Sequence, residues 1–219
     1  MINWSEISTV LLDMDGTLLD LNFDTEFWLE HIPLSIAKKK DIPLQEAKEE
    51  MMSKYHSVSG RIEWYCLDYW QKELDLPIIE LKNEISHLIK VRPDTIPFLD
   101  ALKAAGKRVI LVTNAHPDSL SLKIEKTQLD SHIDELISCH IFGVTKESQE
   151  LWLQLQKKLK FENTSTLFVD DSLQVLLAAK EFGIKHILAV ANPNSKIPSK
   201  NIDGFLNIED YRTLLKEIK

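Results

Sequence analysis

Apolar residues recur along this chain in two rhythms. Short runs bounded by turn residues occur at Val10–Leu12, Arg108–Thr113, Leu136–Ser138, Thr166–Val169 and His186–Val190. Runs of that kind predict strands buried on both faces. Elsewhere the spacing is helical. Phe23, Phe27, Trp28 and His31 share one face, and Pro33 is expected to interrupt it. A second helix is predicted to open near Pro43 and run towards Tyr55, and Ser59-Gly60 is a break. Ile62, Tyr65, Cys66, Tyr69 and Trp70 fall at i, i+3, i+4, i+7 and i+8, which predicts one amphipathic helix from Ile62 to Leu74. A further helical segment follows Pro77, through Ile85, Leu88 and Ile89.

From Arg92 onward the two rhythms alternate. Asp94 or Thr95 is expected to cap a helix through Phe98, Leu99 and Leu102 that stops at Gly106. Helices are also predicted from Pro117 to about Lys126, through Leu151 to Leu159, and from a Ser172 cap to Gly183. The tail suggests a short strand at Gly204–Leu206 and a last helix from about Glu209. Such alternation builds a parallel sheet with helices on both faces. The predicted fold class is therefore α/β, a Rossmann-like three-layer parallel sheet. Residues 20–90 contain no convincing strand, so they read as an all-helical insertion after the first strand. The expected division is a core of residues 1–19 and 93–219, with a helical domain of residues 20–92.

Length and composition suit this picture: 219 residues, 44% hydrophobic and 27% charged, are ordinary for a folded α/β protein. A net charge of −8 argues against nucleic acid or an anionic membrane as the main partner, though a small phosphate ligand can still find a locally positive site. Cys66 and Cys139 form no disulfide framework and no metal-ligand pattern, so a reduced cytoplasmic setting is expected. No apolar run reaches membrane-spanning length, and Met1 to Thr9 does not read as a signal peptide. Oligomeric state is not set by these features.

Candidate chemistry gathers at the predicted strand ends. Asp13 and Asp15 follow the first strand, and Gly16 permits a backbone tight enough for a phosphate to approach. Two carboxylates at a strand end are costly unless compensated, and a hard divalent cation with oxygen ligands would compensate them. Thr113-Asn114 and Asp170-Asp171 end two further strands, and Lys146 lies in a loop between them. In open parallel α/β sheets ligands bind at these carboxyl ends.

The strings DMDGT, VTN, Lys146 before a helix, and VDDS, in this order, resemble the four motifs of the haloacid dehalogenase (HAD) superfamily. The resemblance implies that Asp13 is a nucleophile forming an aspartyl-phosphate and that Asp15 is the acid/base. It implies Mg²⁺ held by the Asp13 carboxylate, the Asp15 backbone carbonyl and Asp171, with Asp170 orienting that shell or binding through water. Thr113, Asn114, Gly16 and Thr17 would hold the phosphate, and Lys146 would offset negative charge. Asp15 supplies the proton that an oxygen leaving group needs, so the resemblance favours phosphate esters over carbon–halogen bonds; mutase chemistry stays open.

The helical insertion resembles the C1 cap of this superfamily, which closes over substrate. Aromatics at helical spacing are usually core, so Tyr65, Tyr69 and Trp70 are expected to pack inside it, as are Phe27 and Trp28. Trp64 and Asp68 lie off the stripe and are the candidate pocket residues. His116 is expected to be structural or on the surface. The strings WYCLDYW, RPDTIPFLDALKAAGK and VTNAHPDSL are similar to those of the bacterial GMP/IMP nucleotidase subgroup. That similarity implies a purine nucleoside monophosphate as substrate. A broad phosphatase for sugar phosphates or flavin mononucleotide, and a non-catalytic binding protein of the same fold, are the competing expectations.

Overall fold

The computed structural model describes residues 2–218. Its centre is β1 (Thr9–Leu12), whose four residues are all buried. β2 (Arg108–Thr113) and β4 (Thr166–Asp170) flank it in parallel, placing Leu12 beside Leu111 and Val169. β3 (Glu135–Ser138), β5 (His186–Val190) and β6 (Leu206–Ile208) complete an all-parallel sheet of order β3-β2-β1-β4-β5-β6. Alternate residues of each strand enter opposite cores. Val10, Leu12, Leu111 and Val169 pack towards Phe98 and Tyr211, whereas Leu11, Ile110, Val112 and Phe168 pack towards Trp152 and Leu176. This two-sided burial explains why the strands read as unbroken apolar runs.

The helices covering the first face are α7 (Thr95–Ala104) and α8 (Pro117–Thr127), and those on the second are α9 (Gln149–Leu159) and α10 (Leu173–Phe182). Between β1 and α7 lie α1 (Asn22–Glu26), α2 (Ile32–Lys40), α3 (Leu44–Ser57), α4 (Ile62–Tyr65), α5 (Leu67–Leu74) and α6 (Ile78–Glu84). Helices α2 to α6 and the turn at Phe27–His31 share a separate core that includes Phe27, Ile36, Met51, Tyr55, Trp70 and Ile78. The chain leaves and re-enters the sheet layer at neighbouring points: Leu19 pairs antiparallel with Val91, and the Asp20 N–H donates to the Lys90 carbonyl at 2.9 Å. Among the described residues no helix is long and apolar enough to cross a membrane.

Six local expectations are corrected. Pro33 does not interrupt its helix. The chain is helical from Asn22 to Lys40, with a π-helical turn at Phe27–His31 in which the Ile32 N–H reaches back to the Phe27 carbonyl. The wide turn just before Pro33 absorbs the missing N–H, and the Tyr55 hydroxyl donates to the Trp28 carbonyl at 2.7 Å. The amphipathic run from Ile62 to Leu74 is two helices, not one, because Cys66 is extended (φ −84°, ψ 112°). That break carries Tyr65 out of the stripe to a contact described below.

Asp94 and Ser172 occupy the first-turn positions expected of caps, but neither side chain caps its helix. Asp94 instead accepts the Tyr211 N–H at 2.7 Å, and the Ser172 N–H donates to Asp170 Oδ1 at 2.8 Å. In the tail, the strand begins at Leu206 because Asn207 holds the preceding turn, accepting from the Ile202 N–H at 2.7 Å and donating to the Ile202 carbonyl at 3.0 Å. The last helix is only a 3₁₀ turn at Tyr211–Leu214.

Tyr211 is fully buried, stacks on Phe98 at 4.4 Å, and donates its hydroxyl proton to the Thr17 carbonyl at 3.1 Å. Tyr211→Phe keeps the stack and deletes one buried hydrogen bond. It should lower stability by about 0.5–1.5 kcal/mol in denaturant titration. A loss near zero would show that the tail does not brace the loop after Asp13.

Candidate active site

The carboxyl ends of β1, β2 and β4 converge on one cavity of about 380 Å³. Its floor is polar. Asp13, one residue beyond β1, and Asp170, the last residue of β4, are both buried, and Lys146 bridges them. Lys146 Nζ donates to Asp13 Oδ1 and, at 2.7 Å, to Asp170 Oδ2. The lysine's loop is held on two sides: its N–H donates to Asn114 Oδ1 at 2.9 Å, and its carbonyl accepts from Trp152 Nε1 at 2.9 Å. Asn114 Nδ2 in turn donates to Glu147 Oε2 at 3.0 Å. Thr113 Oγ1 accepts the Ala115 N–H at 3.0 Å, which fixes the turn out of β2.

Gly16 adopts φ +87°, and a Cβ there would lie 2.5 Å from Asp171 Oδ2. Only glycine lets the β1 loop pass so close to the Asp171 carboxylate. One oxygen from each of Asp13, Asp170 and Asp171 lies within 4.8 Å of the others. Three carboxylates facing one ammonium leave two negative charges unbalanced, and the donors are all hard oxygens. That set fits a divalent cation of the Mg²⁺ or Ca²⁺ type. Both Asp170 oxygens already accept hydrogen bonds, from Lys146 and from the Ser172 N–H. No other side chain among the described residues hydrogen-bonds to the Asp171 carboxylate, which leaves it open to a cation.

A second charged chain runs along the wall. Lys123 Nζ donates to Asp15 Oδ1 and to Asp24 Oδ2, both at 2.6 Å, and Lys82 Nζ donates to Asp24 Oδ1 at 3.2 Å. Lys82 also sits 4.3 Å from the Phe27 ring centroid. The four groups therefore join Asp15 to the helical insert through alternating charge.

Burial governs the proton affinities here. It pushes Asp13 up to about 6, against Lys146, and Asp15 up to about 7, against Lys123. It pushes Asp171 well above the usual carboxylate range, helped by negative Asp170 and Asp13. Asp24 goes the other way, to about 2: burial opposes ionisation, but Lys123 and Lys82 outweigh it. Burial also opposes charge on Lys146, but Asp13 and Asp170 raise it well above an ordinary lysine.

Of the residues singled out from sequence, Asp13, Asp15, Thr113, Asn114, Lys146, Asp170 and Asp171 all line this cavity. Gly16 approaches it through its backbone. Thr17 does not face it: the residue is fully buried and its hydroxyl has no hydrogen-bond partner. Trp64 and His116 line the cavity, while the Asp68 side chain is 77% exposed. Trp28 and Tyr65 do more than pack the insert, since both also line the cavity, and the Tyr65 hydroxyl donates to Glu147 Oε1 at 3.0 Å. Sequence reasoning missed Asp24, Lys82, Lys123 and Glu147. A trace exists for Lys123, which falls four residues after Ser119 on the buried face of α8. Glu147 adjoins Lys146 in sequence, and nothing local marks Asp24 or Lys82.

The family model of the haloacid dehalogenase-like hydrolases matches residues 7–183. The chain is 46% identical over 217 residues to the GMP/IMP nucleotidase YrfG of Escherichia coli K12, covering 99% of this chain and 98% of that one, and equally so to its counterpart in Shigella flexneri. Among solved structures, a HAD phosphatase from Thermococcus onnurineus superposes with a TM-score of 0.79 at 25% identity, over 96% of this chain and 97% of that one. Sheet order, strand-end chemistry and similarity along nearly the whole chain agree: this protein belongs to the haloacid dehalogenase-like hydrolases.

Proposed function

We propose that this chain is a Mg²⁺-dependent phosphatase that acts through an aspartyl-phosphate on Asp13, with purine nucleoside 5′-monophosphates such as GMP and IMP as substrates. The observation that carries the reading is the floor of the cavity, where a carboxylate braced by a buried lysine faces two further carboxylates. Near-full-length similarity to a GMP/IMP nucleotidase supports the choice of substrate.

Lys146 holds one oxygen of Asp13, which leaves the other to attack phosphorus as the bond to the ester oxygen breaks. Asp15 gives its proton to that departing oxygen. Water then attacks phosphorus and passes its proton to Asp15, the Asp13–phosphorus bond breaks, and inorganic phosphate leaves. Lys123 keeps Asp15 turned into the site, and Thr113, Asn114 and the Gly16 backbone hold phosphate oxygens. Asp13, Asp171 and the Asp15 carbonyl would hold Mg²⁺, which supplies charge neutralisation at the phosphoryl group. Asp170 steadies Lys146 rather than offering a free oxygen. Above this floor, Trp28, Trp64 and Tyr65 present aromatic surface on which a flat base can stack.

Asp13→Asn should abolish phosphate release in a steady-state assay, and Asp15→Asn should lower kcat by about 10²–10⁴-fold. Near-normal turnover by Asp13→Asn would sink the covalent mechanism. Gly16→Ala should cost about 10²-fold in kcat/KM, because the methyl displaces Asp171. Chelation should remove activity and Mg²⁺ restore it.

A substrate panel tests the base. GMP and IMP should exceed ribose 5-phosphate in kcat/KM by about 10–100-fold if stacking contributes ~1–3 kcal/mol. Equal values would retire the nucleotidase reading and keep the phosphatase.

A further inference from the structure

A second cluster of metal-ligating side chains lies outside the carboxylate floor, where the helical insert meets the strand ends. Cys66 and Asp68 come from the insert, Cys66 at the extended break between α4 and α5. His116 precedes α8, and His140 follows β3. Ligand atoms of Cys66, His116 and His140 lie within 4.8 Å of one another. His116 Nε2 is 3.6 Å from Asp68 Oδ2, and the two imidazole centroids are 5.0 Å apart.

His140 supplies an independent observation. Its Nε2 is buried and has no hydrogen-bond partner among the described residues. In the tautomer that carries its proton on Nδ1, this nitrogen presents a bare lone pair that meets no donor among the described residues. An imidazole nitrogen free in this way is what a metal-binding histidine offers.

We propose that Cys66, Asp68, His116 and His140 form a second metal site, for a zinc-type divalent cation, that fastens the helical insert to the sheet domain. One thiolate, two imidazoles and one carboxylate are the donor types of a tetrahedral zinc centre. Adjacent ligand atoms in such a centre stand about 3.3–3.7 Å apart. The His116–Asp68 separation already meets that spacing, and the ligand atoms of Cys66, His116 and His140 stand within 4.8 Å of one another. The exposed Asp68 carboxylate can swing inward. His116 would ligate through Nε2 and carry its proton on Nδ1, towards the Asp118 carboxylate 3.6 Å away, giving up the weak bond in which Nδ1 accepts the Asp118 N–H at 3.3 Å. Binding would release the Cys66 thiol proton and leave oxidation states unchanged. Mg²⁺ prefers all-oxygen shells and is a poor occupant.

The consequence for turnover rests on the phosphatase reading. Cys66 and Asp68 belong to the insert that roofs the cavity, so a cation tying them to His116 and His140 holds the roof down. Substrate exchange then slows, and the cation acts as a reversible inhibitor at a site distinct from the Mg²⁺ ligands.

The test is Co²⁺ titration of the full chain after metal removal, followed by displacement with Zn²⁺. One Co²⁺ per chain should bind with a thiolate-to-cobalt charge-transfer band and tetrahedral d–d absorption. Asp171→Asn should keep the band, Cys66→Ser should lose it, and His140→Gln should bind at least about 10-fold more weakly. Far-UV circular dichroism and Mg²⁺-supported turnover should match wild type in the last two variants. If Cys66→Ser fails to fold, Zn²⁺ affinity of His140→Gln against a chromophoric chelator carries the test. Absence of a thiolate band, a band that survives Cys66→Ser, or unchanged Zn²⁺ affinity in His140→Gln would overturn the site. Zn²⁺ should inhibit wild type at one equivalent and require at least about 10-fold more in Cys66→Ser; inhibition identical in both overturns the clamp. The spectrum reports the site even if no phosphate ester is hydrolysed, so failure of the function and failure of the site are distinguishable.

Discussion

An ammonium group buried at the junction of three strands organises this molecule. Lys146 reaches the interior with its charge because Asp13 and Asp170 are there to meet it, and each carboxylate is tolerated there because of the lysine. Removing one partner of such a set leaves an uncompensated buried charge, typically costing about 3–5 kcal/mol. The surrounding hydrogen bonds serve that arrangement. Asn114 and Trp152 hold the backbone of Lys146, and the Ser172 N–H holds the oxygen of Asp170 that Lys146 does not use. The β1 loop can then approach Asp171 closely because Gly16 carries no side chain. Chemistry and packing are one constraint at this junction.

The helical insert is coupled to the same junction by charge. Asp15 belongs to the loop after β1, Lys123 to α8, and Asp24 and Lys82 to the insert. Two carboxyl groups alternate with two ammonium groups along this chain, and both lysine side chains are almost entirely buried. Tyr65 makes a comparable link on the other side, through Glu147 to Asn114. Roof and floor therefore share hydrogen-bonded partners in two places.

Much of the fold was legible because its signals are local. Unbroken apolar runs ending in polar residues marked β1, β2 and β4, and Gly106 and Gly183 marked helix ends. Expectations failed where a distant group overrode a local preference. Asp94 has the chemistry of a helix cap but serves the Tyr211 backbone, 117 residues away. Pro33 should break a helix, but a wide turn and the Tyr55 hydroxyl absorb it. The stripe from Ile62 to Trp70 fits a continuous helix, but Cys66 opens it and sends Tyr65 to Glu147.

By itself, the sequence determined the parallel sheet and the polar residues at its strand ends, because both depend on residue type and short-range spacing, while the choice of Asp13, Asp15, Lys146 and Asp171 among those residues came from the family resemblance. It also placed an all-helical segment after β1. Only the tertiary structure decided which charges meet. Lys82 and Lys123 look like ordinary helical lysines along the chain, and Thr17 looks like a phosphate ligand. Burial turned the two lysines into partners of Asp24 and Asp15 and hid Thr17 behind the loop. Pairing of buried charges depends on distances between segments far apart in sequence, and no local pattern of apolar and polar residues encodes them.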